Sequence, residues 1–88
     1  MMDYYRVLSE EIEKYYYNNP PEWYQVYKIV YARNRSAARY HAWKHEEPHC
    51  NIKDRPKMSC HKMNVKDHDE FQEIYDAIRF DNFIDLSK

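Results

Sequence analysis

The sequence predicts an all-α domain with an N-terminal helical hairpin, a Cys/His-rich basic loop and a third, C-terminal helix. The chain has 88 residues and no glycine, and glycine supplies the positive φ angles of most tight β-turns. Apolar residues recur at helical spacing in three stretches. Asn, Asp and Pro separate those stretches, at positions where helix caps and interhelical turns need them.

The helical hairpin is predicted to consist of residues 3–17 and 20–46. Asp3 can cap the first helix, whose apolar residues repeat at intervals of three and four. The second helix has Asn19 as its N-cap and Pro20 at the first helical position. No Pro or Gly interrupts it before residue 46, so one long helix is expected.

Residues 47–66 show no sustained period and contain two prolines, so a loop is predicted there. The third helix is predicted over 68–80, because Asp67 and Glu70 have the spacing of a capping box. The segment after residue 80 is expected to dock on the helices. The apolar stripe predicted for the third helix consists of Phe71, Ile74, Tyr75 and Ile78.

Composition restricts the class of protein. The length is that of one small domain, and there is no apolar run long enough to span a membrane and no signal-peptide pattern. A cytoplasmic protein with reduced cysteines is therefore expected. Without glycine, neither a P-loop nor a dinucleotide fingerprint can form. Abundant Lys, Asn, Tyr, Ile and Asp is typical of the small accessory proteins of phages and other mobile elements.

Charge is distributed in three blocks. Residues 1–27 and 67–88 are acidic, whereas residues 28–66 are strongly basic. One interpretation is that the acidic ends pack around the basic middle, within one chain or between copies. The other is that the basic block binds an anionic partner.

All histidines and both cysteines fall between residues 41 and 68, and these are ligands that zinc prefers. We predict a structural zinc held by four of the five residues His41, His45, Cys50, Cys60 and His61, which would staple the loop. The nine residues between the cysteines match no common zinc module. The alternative is that His41 and His45 pack on the core while the other residues lie in a solvated loop.

A basic, aromatic face on the second helix predicts nucleic-acid or nucleotide binding. Cations that can bind phosphate lie beside rings that can stack on bases. The alternative is a solvated helix face that pairs with the acidic ends. The residues predicted for this site are Lys28, Arg35, Arg39, Tyr24 and Tyr31.

Ten tyrosines are more than a three-helix core can bury. Tyrosine is enriched at interface hot spots, so Tyr5, Tyr16 and Tyr17 are predicted to contact a protein partner or a second copy. We therefore expect a non-catalytic binding protein that regulates or inhibits a larger macromolecule, and that forms homo-oligomers. The alternative is a zinc-stabilised nucleic-acid or nucleotide-binding protein. A small nuclease or toxin is a third hypothesis, although no catalytic constellation emerges.

Overall fold

The computed structural model describes residues 1–15 and 17–88 and has a mixed α/β fold. It contains six strands in two sheets and two α-helices, so the predicted all-α class is wrong. A single 3-10 turn lies at Ile52–Asp54. The elements are β1 (Asp3–Ser9), β2 (Ile12–Lys14), β3 (Glu22–Tyr24), β4 (Tyr27–Ala32), α1 (Arg35–Glu46), β5 (Met58–Lys62), α2 (His68–Arg79) and β6 (Phe83–Asp85).

Four strands form the main sheet, in the order β5-β1-β4-β6. Strand β1 is antiparallel to both β4 and β5, and β6 is parallel to β4. Three strands therefore run in one direction. Parallel strands need crossover connections, and α1 and α2 provide the crossovers from β4 to β5 and from β5 to β6.

The segment predicted as a helical hairpin forms a β-hairpin along most of its length. Its inner part pairs β1 with β4, with Tyr5 opposite Val30, and its outer part pairs β2 with β3. We call the outer part, residues 12–24 without the undescribed residue 16, the hairpin arm. The molecule is elongated, with extents of 47 × 24 × 21 Å.

The two helices lie on opposite faces of the main sheet. Successive strand residues point to opposite faces, and Ile29 packs with α2 whereas Val30 packs with α1. The hydrophobic cluster on the α1 face has eight buried residues, including Val7 and Trp43, and the cluster on the α2 face has four. The α1 layer is therefore the larger part of the core.

Helix α1 begins fifteen residues later than predicted. Asn34 caps it, because its Oδ1 accepts the Ala37 amide at 2.8 Å. Its buried residues are Ala38, Ala42 and Trp43, whereas His41 and His45, which one interpretation packed on the core, are exposed.

The predicted loop 47–66 contains strand β5 and the 3-10 turn, so it is not structureless. The structure has a helix close to the third predicted one, capped by Asp67, whose Oδ1 accepts the Glu70 amide at 3.0 Å. The segment after this helix forms β6 at the sheet edge. In the described part of the chain, no helix has the length and apolar character needed to cross a membrane.

Candidate functional site

Helix α2 is fixed to the sheet by the carboxylate of Glu73. Arg6 of β1 donates to this carboxylate from Nε at 2.8 Å and from Nη2 at 2.6 Å, and the Tyr27 hydroxyl donates a third bond at 2.6 Å. The bond from Arg6 is the main cause that lowers the pKa of Glu73, and the same bond raises the pKa of Arg6. A bidentate pair of this kind fixes orientation, so it sets which side of α2 faces the sheet.

One turn earlier, Glu70 connects α2 to β5 and to the loop that follows β5. Its Oε1 lies 2.5 Å from His61 Nε2, and its Oε2 accepts the Asn64 amide at 2.5 Å. The Asn64 amide first and the His61 ring second lower the pKa of Glu70. Two carboxylates on α2 are therefore directed at partners on the sheet side.

Because Glu70 and Glu73 share the inner face of α2 with Ile74 and Ala77, another apolar sector of the helix is left in solvent. Phe71, Tyr75 and Ile78 are 56%, 55% and 55% exposed, and we call them the α2 stripe. Positions i, i+4 and i+7 lie within an arc of about 60° on a helix. Of the four residues predicted to form the apolar stripe of this helix, only Ile74 is buried; the other buried residue is Ala77.

The rest of the exposed surface of α2 is mostly acidic. Asp67 is its N-cap, Asp69 lies in its first turn, and Asp81 follows its C-terminus; all three are exposed. Arg79 is the one base within the helix apart from His68. A cleft of about 380 Å³ lies beside α2 and is lined by residues that include Tyr27, Asp69, Glu73, Asp76, Phe80 and Asn82.

The predicted interface tyrosines have different environments. Tyr5 is only 4% exposed and belongs to the core, so it offers no surface to a partner. Tyr17 is 93% exposed near the tip of the hairpin arm, where Tyr15 and Trp23 are also exposed. Tyr16 lies outside the described residues.

The five predicted zinc ligands do not come together. His41 and His45 lie on the exposed side of α1. Cys60 and His61 are neighbours in β5, so their side chains point to opposite faces of the sheet, and His61 is bound to Glu70. Cys50 and Cys60 are free thiols. Among residues 1–15 and 17–88, no group of three His, Cys, Asp or Glu side chains could hold a metal, so the structure shows no metal-binding site at these residues.

The residues predicted to bind nucleic acid are divided between the two faces of the sheet. Lys28 is buried on the α1 face and pairs with Glu46 at 3.4 Å. Tyr31 lies on the α2 face, where its ring packs against Tyr4. The Tyr24 hydroxyl donates to Glu47 at 2.7 Å.

Arg35 and Arg39 are the two members of that predicted set that remain close together. They lie one turn apart on α1. Burial raises the pKa of the Cys60 thiol of β5, and the charges of both arginines lower it in part. The five residues therefore form no single surface, and only these two cations could act jointly on an anionic group.

The prediction from sequence missed the α2 stripe as a surface, although it recognised the apolar spacing. The signal that could have revealed it is the pair Glu70 and Glu73, which lie beside Ile74 and Ala77 on the helix. Neither carboxylate could be assigned to the inner side without knowing that Arg6 and His61 lie opposite. No protein-family model, curated protein or solved structure matches this chain.

Proposed function

We propose that this protein is a non-catalytic binding protein that regulates or inhibits a larger protein by docking on it through helix α2. The observation that carries the proposal is the α2 stripe, Phe71, Tyr75 and Ile78, each more than half exposed on an ordered helix. Exposed apolar patches mark interaction sites, and the spacing i, i+4, i+7 is that of helices that bind in an apolar groove.

The contacts that hold α2 on the sheet favour binding with little reorganisation. The bonds of Glu73 to Arg6 and Tyr27 hold α2 at a fixed rotation about its axis. A surface that is ordered before binding loses less conformational entropy when a partner docks. The aromatic rings of Phe71 and Tyr75 provide large contact areas of the kind that dominates hot spots.

The charges around the stripe indicate the chemistry of the partner. Asp67 lies one turn before Phe71 and Arg79 lies one turn after Tyr75, and both are exposed, so the groove that receives the stripe should have a basic group at one end and an acidic group at the other. A membrane surface fits poorly, because helices that lie in anionic bilayers carry Lys and Arg on their polar face.

The test compares three forms of the full chain as bait in extracts of the cells that express it. The forms are the wild type, the double variant Tyr75→Asp with Ile78→Asp, and the control Tyr17→Asp at the tip of the arm. The partner recovered with the wild type is then purified, and its Kd for each form is measured by calorimetry. We expect the control to bind like the wild type and the double variant to bind at least about 30-fold more weakly.

Two results would overturn the proposal. One is a purified partner that binds the double variant as tightly as the wild type. The other is a wild-type chain that sediments as a dimer which the double variant dissociates, because the stripe would then be covered by a second copy. Circular dichroism melts of all three forms show whether the exposed substitutions leave the fold intact.

A further inference from the structure

Strand β5 leaves one side of its backbone open at the edge of the main sheet. The Lys57 carbonyl accepts from the Glu10 amide, and the Met63 amide donates to the Tyr4 carbonyl, so both point towards β1. Backbone groups alternate in direction along a strand. Met58, Cys60 and Lys62 therefore direct their N–H and C=O groups away from β1, to a side on which residues 1–15 and 17–88 place no neighbouring strand.

Arg35 of α1 covers the centre of this edge. Its Nε donates to the Cys60 carbonyl at 3.3 Å, and its guanidinium lies 5.7 Å from the centroid of the Tyr5 ring. Capping one acceptor with a cation is a means of protecting a sheet edge from unwanted pairing. A guanidinium has five N–H donors, so Arg35 retains donors for another group while it holds Cys60.

The charge along this edge is positive. Arg39 lies one turn after Arg35, and the two cations partly offset the burial that raises the pKa of the Cys60 thiol. Lys57 is exposed at the start of the strand, and the Lys62 side chain is 54% exposed at its end. Carboxylates also contact β5 or its ends: Asp3 lies 3.6 Å from Lys62, Glu10 accepts the Lys57 amide at 3.2 Å, and Glu70 binds His61 on the α2 face.

We propose that the β5 edge accepts an extended acidic peptide segment of another protein by β-strand addition. The backbone of the segment pairs with the outward groups of Met58 and Lys62 and with the Cys60 amide. Arg35 keeps the Cys60 carbonyl and, with Arg39, contacts the carboxylates of the segment. This mode combines main-chain bonds for affinity with side-chain contacts for specificity. It does not rest on the α2 stripe.

A second copy of this chain fits the edge less well, because antiparallel pairing of two β5 strands about Cys60 would bring the Arg35 cations of both chains together. Nucleic acid would satisfy the cations. A nucleic-acid backbone does not offer donors and acceptors that complement the amide and carbonyl groups at every second residue of β5, whereas a peptide backbone does.

The probe is an acetylated and amidated octapeptide of alternating glutamate and valine, titrated into the full chain at low salt. Binding is followed by calorimetry and by backbone amide exchange in NMR. We expect slower exchange at the Met58, Cys60 and Lys62 amides, with little change at Ser59 and His61, which face β1. The double variant Arg35→Gln with Arg39→Gln should weaken binding about tenfold.

A matched pair of variants isolates the backbone contribution. Cys60→Pro removes the central outward N–H, which makes no bond to β1, and proline is tolerated at such edge positions. Cys60→Val removes the same thiol and keeps the N–H. We expect the proline variant to bind about tenfold more weakly than the valine variant.

Three results would overturn the inference. The first is an octapeptide that leaves the exchange of the three outward amides of the wild type unchanged. This measurement does not depend on whether Cys60→Pro folds. The second is equal binding of an alternating lysine and valine peptide. The third is an oligothymidine that protects the β5 edge while the acidic peptide does not, which would assign the edge to nucleic acid.

Discussion

At the scale of single residues, Glu73 is the side chain on which the position of α2 depends most. Glu73→Gln keeps the size of the side chain and removes the charge that Arg6 and Tyr27 bind. Because both partners of the ion pair are about a quarter to a third exposed, we expect a loss of about 1–2 kcal/mol in the free energy of unfolding. Urea denaturation measures it. Asp69→Asn, at a fully exposed side chain, is the control and should change stability by less than about 0.5 kcal/mol; an equal effect of the two would contradict the assignment.

The same carboxylates predict how stability depends on pH. Glu70 and Glu73 have pKa values below the ordinary value in the folded protein, so the unfolded chain binds protons more readily than the folded chain. Their contribution is complete above the unfolded pKa of about 4.3 and is lost as the pH falls through the lower, folded pKa. We expect the free energy of unfolding to fall more steeply below about pH 5 in the wild type than in Glu73→Gln. Parallel curves for the two proteins would show that Glu73 is not involved.

At the scale of secondary-structure elements, the turns show how a chain without glycine builds a β-rich fold. Asn18 and Asp81 have φ angles of 64° and 63°, so an Asx residue takes the place that glycine usually holds. Asp81 follows the C-cap of α2, and the Asn82 amide donates to the Ala77 carbonyl at 2.8 Å. Of the two hydrogen bonds that characterise a Schellman motif, this is the one that spans six residues.

We expect Asp81→Gly to stabilise the protein by up to about 1 kcal/mol, because glycine adopts a positive φ without a side-chain clash. Asp81→Ala should destabilise it by a similar amount. Thermal unfolding of the two variants and the wild type measures the order. A glycine variant that is less stable than the alanine variant would contradict the role of the backbone angle.

Local sequence signals placed a helix close to α2, whereas they gave the wrong secondary structure for most of the first 34 residues. Capping by Asp67 is a local signal, so the start of α2 was visible in the sequence. Strand β4, Tyr27–Ala32, is largely buried between the two helical layers, and a short apolar run of this kind does not distinguish strand from helix. A single helix over 20–46 would continue one helical phase from the β4 residues into α1, and the interpretation that His41 and His45 pack on the core depended on that phase; both are exposed.

The candidate site could be predicted only in part, for a reason that belongs to the whole molecule. The spacing of Phe71, Tyr75 and Ile78 is a local pattern, whereas the contact that turns it outwards joins Arg6 and Glu73, which are 67 positions apart. The charge blocks gave no help with this contact, since Arg6 is a base within an acidic block. Long-range ion pairs depend on strand order, and strand order is not a local property of the sequence.

The unequal layers of the molecule predict unequal local stability. The α1 face has eight buried residues in its cluster and the α2 face has four, and burial of apolar area is the main favourable term in folding. Helix α2 compensates with the bonds of Glu70 and Glu73 to the sheet. It should therefore open before α1, since the elements with fewer buried apolar contacts open at lower free energy.

Native-state hydrogen exchange tests this order. We expect the central amides of α2, around Ile74, to exchange with a lower opening free energy than those of α1 around Ala42. Glu73→Gln should lower the opening free energy of α2 further, by about 1–2 kcal/mol. The opening free energy of α1 should stay nearly unchanged, unless the α1 amides exchange only by global unfolding. In that case the α1 value falls by the same amount as the free energy of unfolding. Equal protection of the two helices in the wild type would show that the carboxylate network fully offsets the smaller apolar layer, and the α2 stripe would then be carried on an element as rigid as the core.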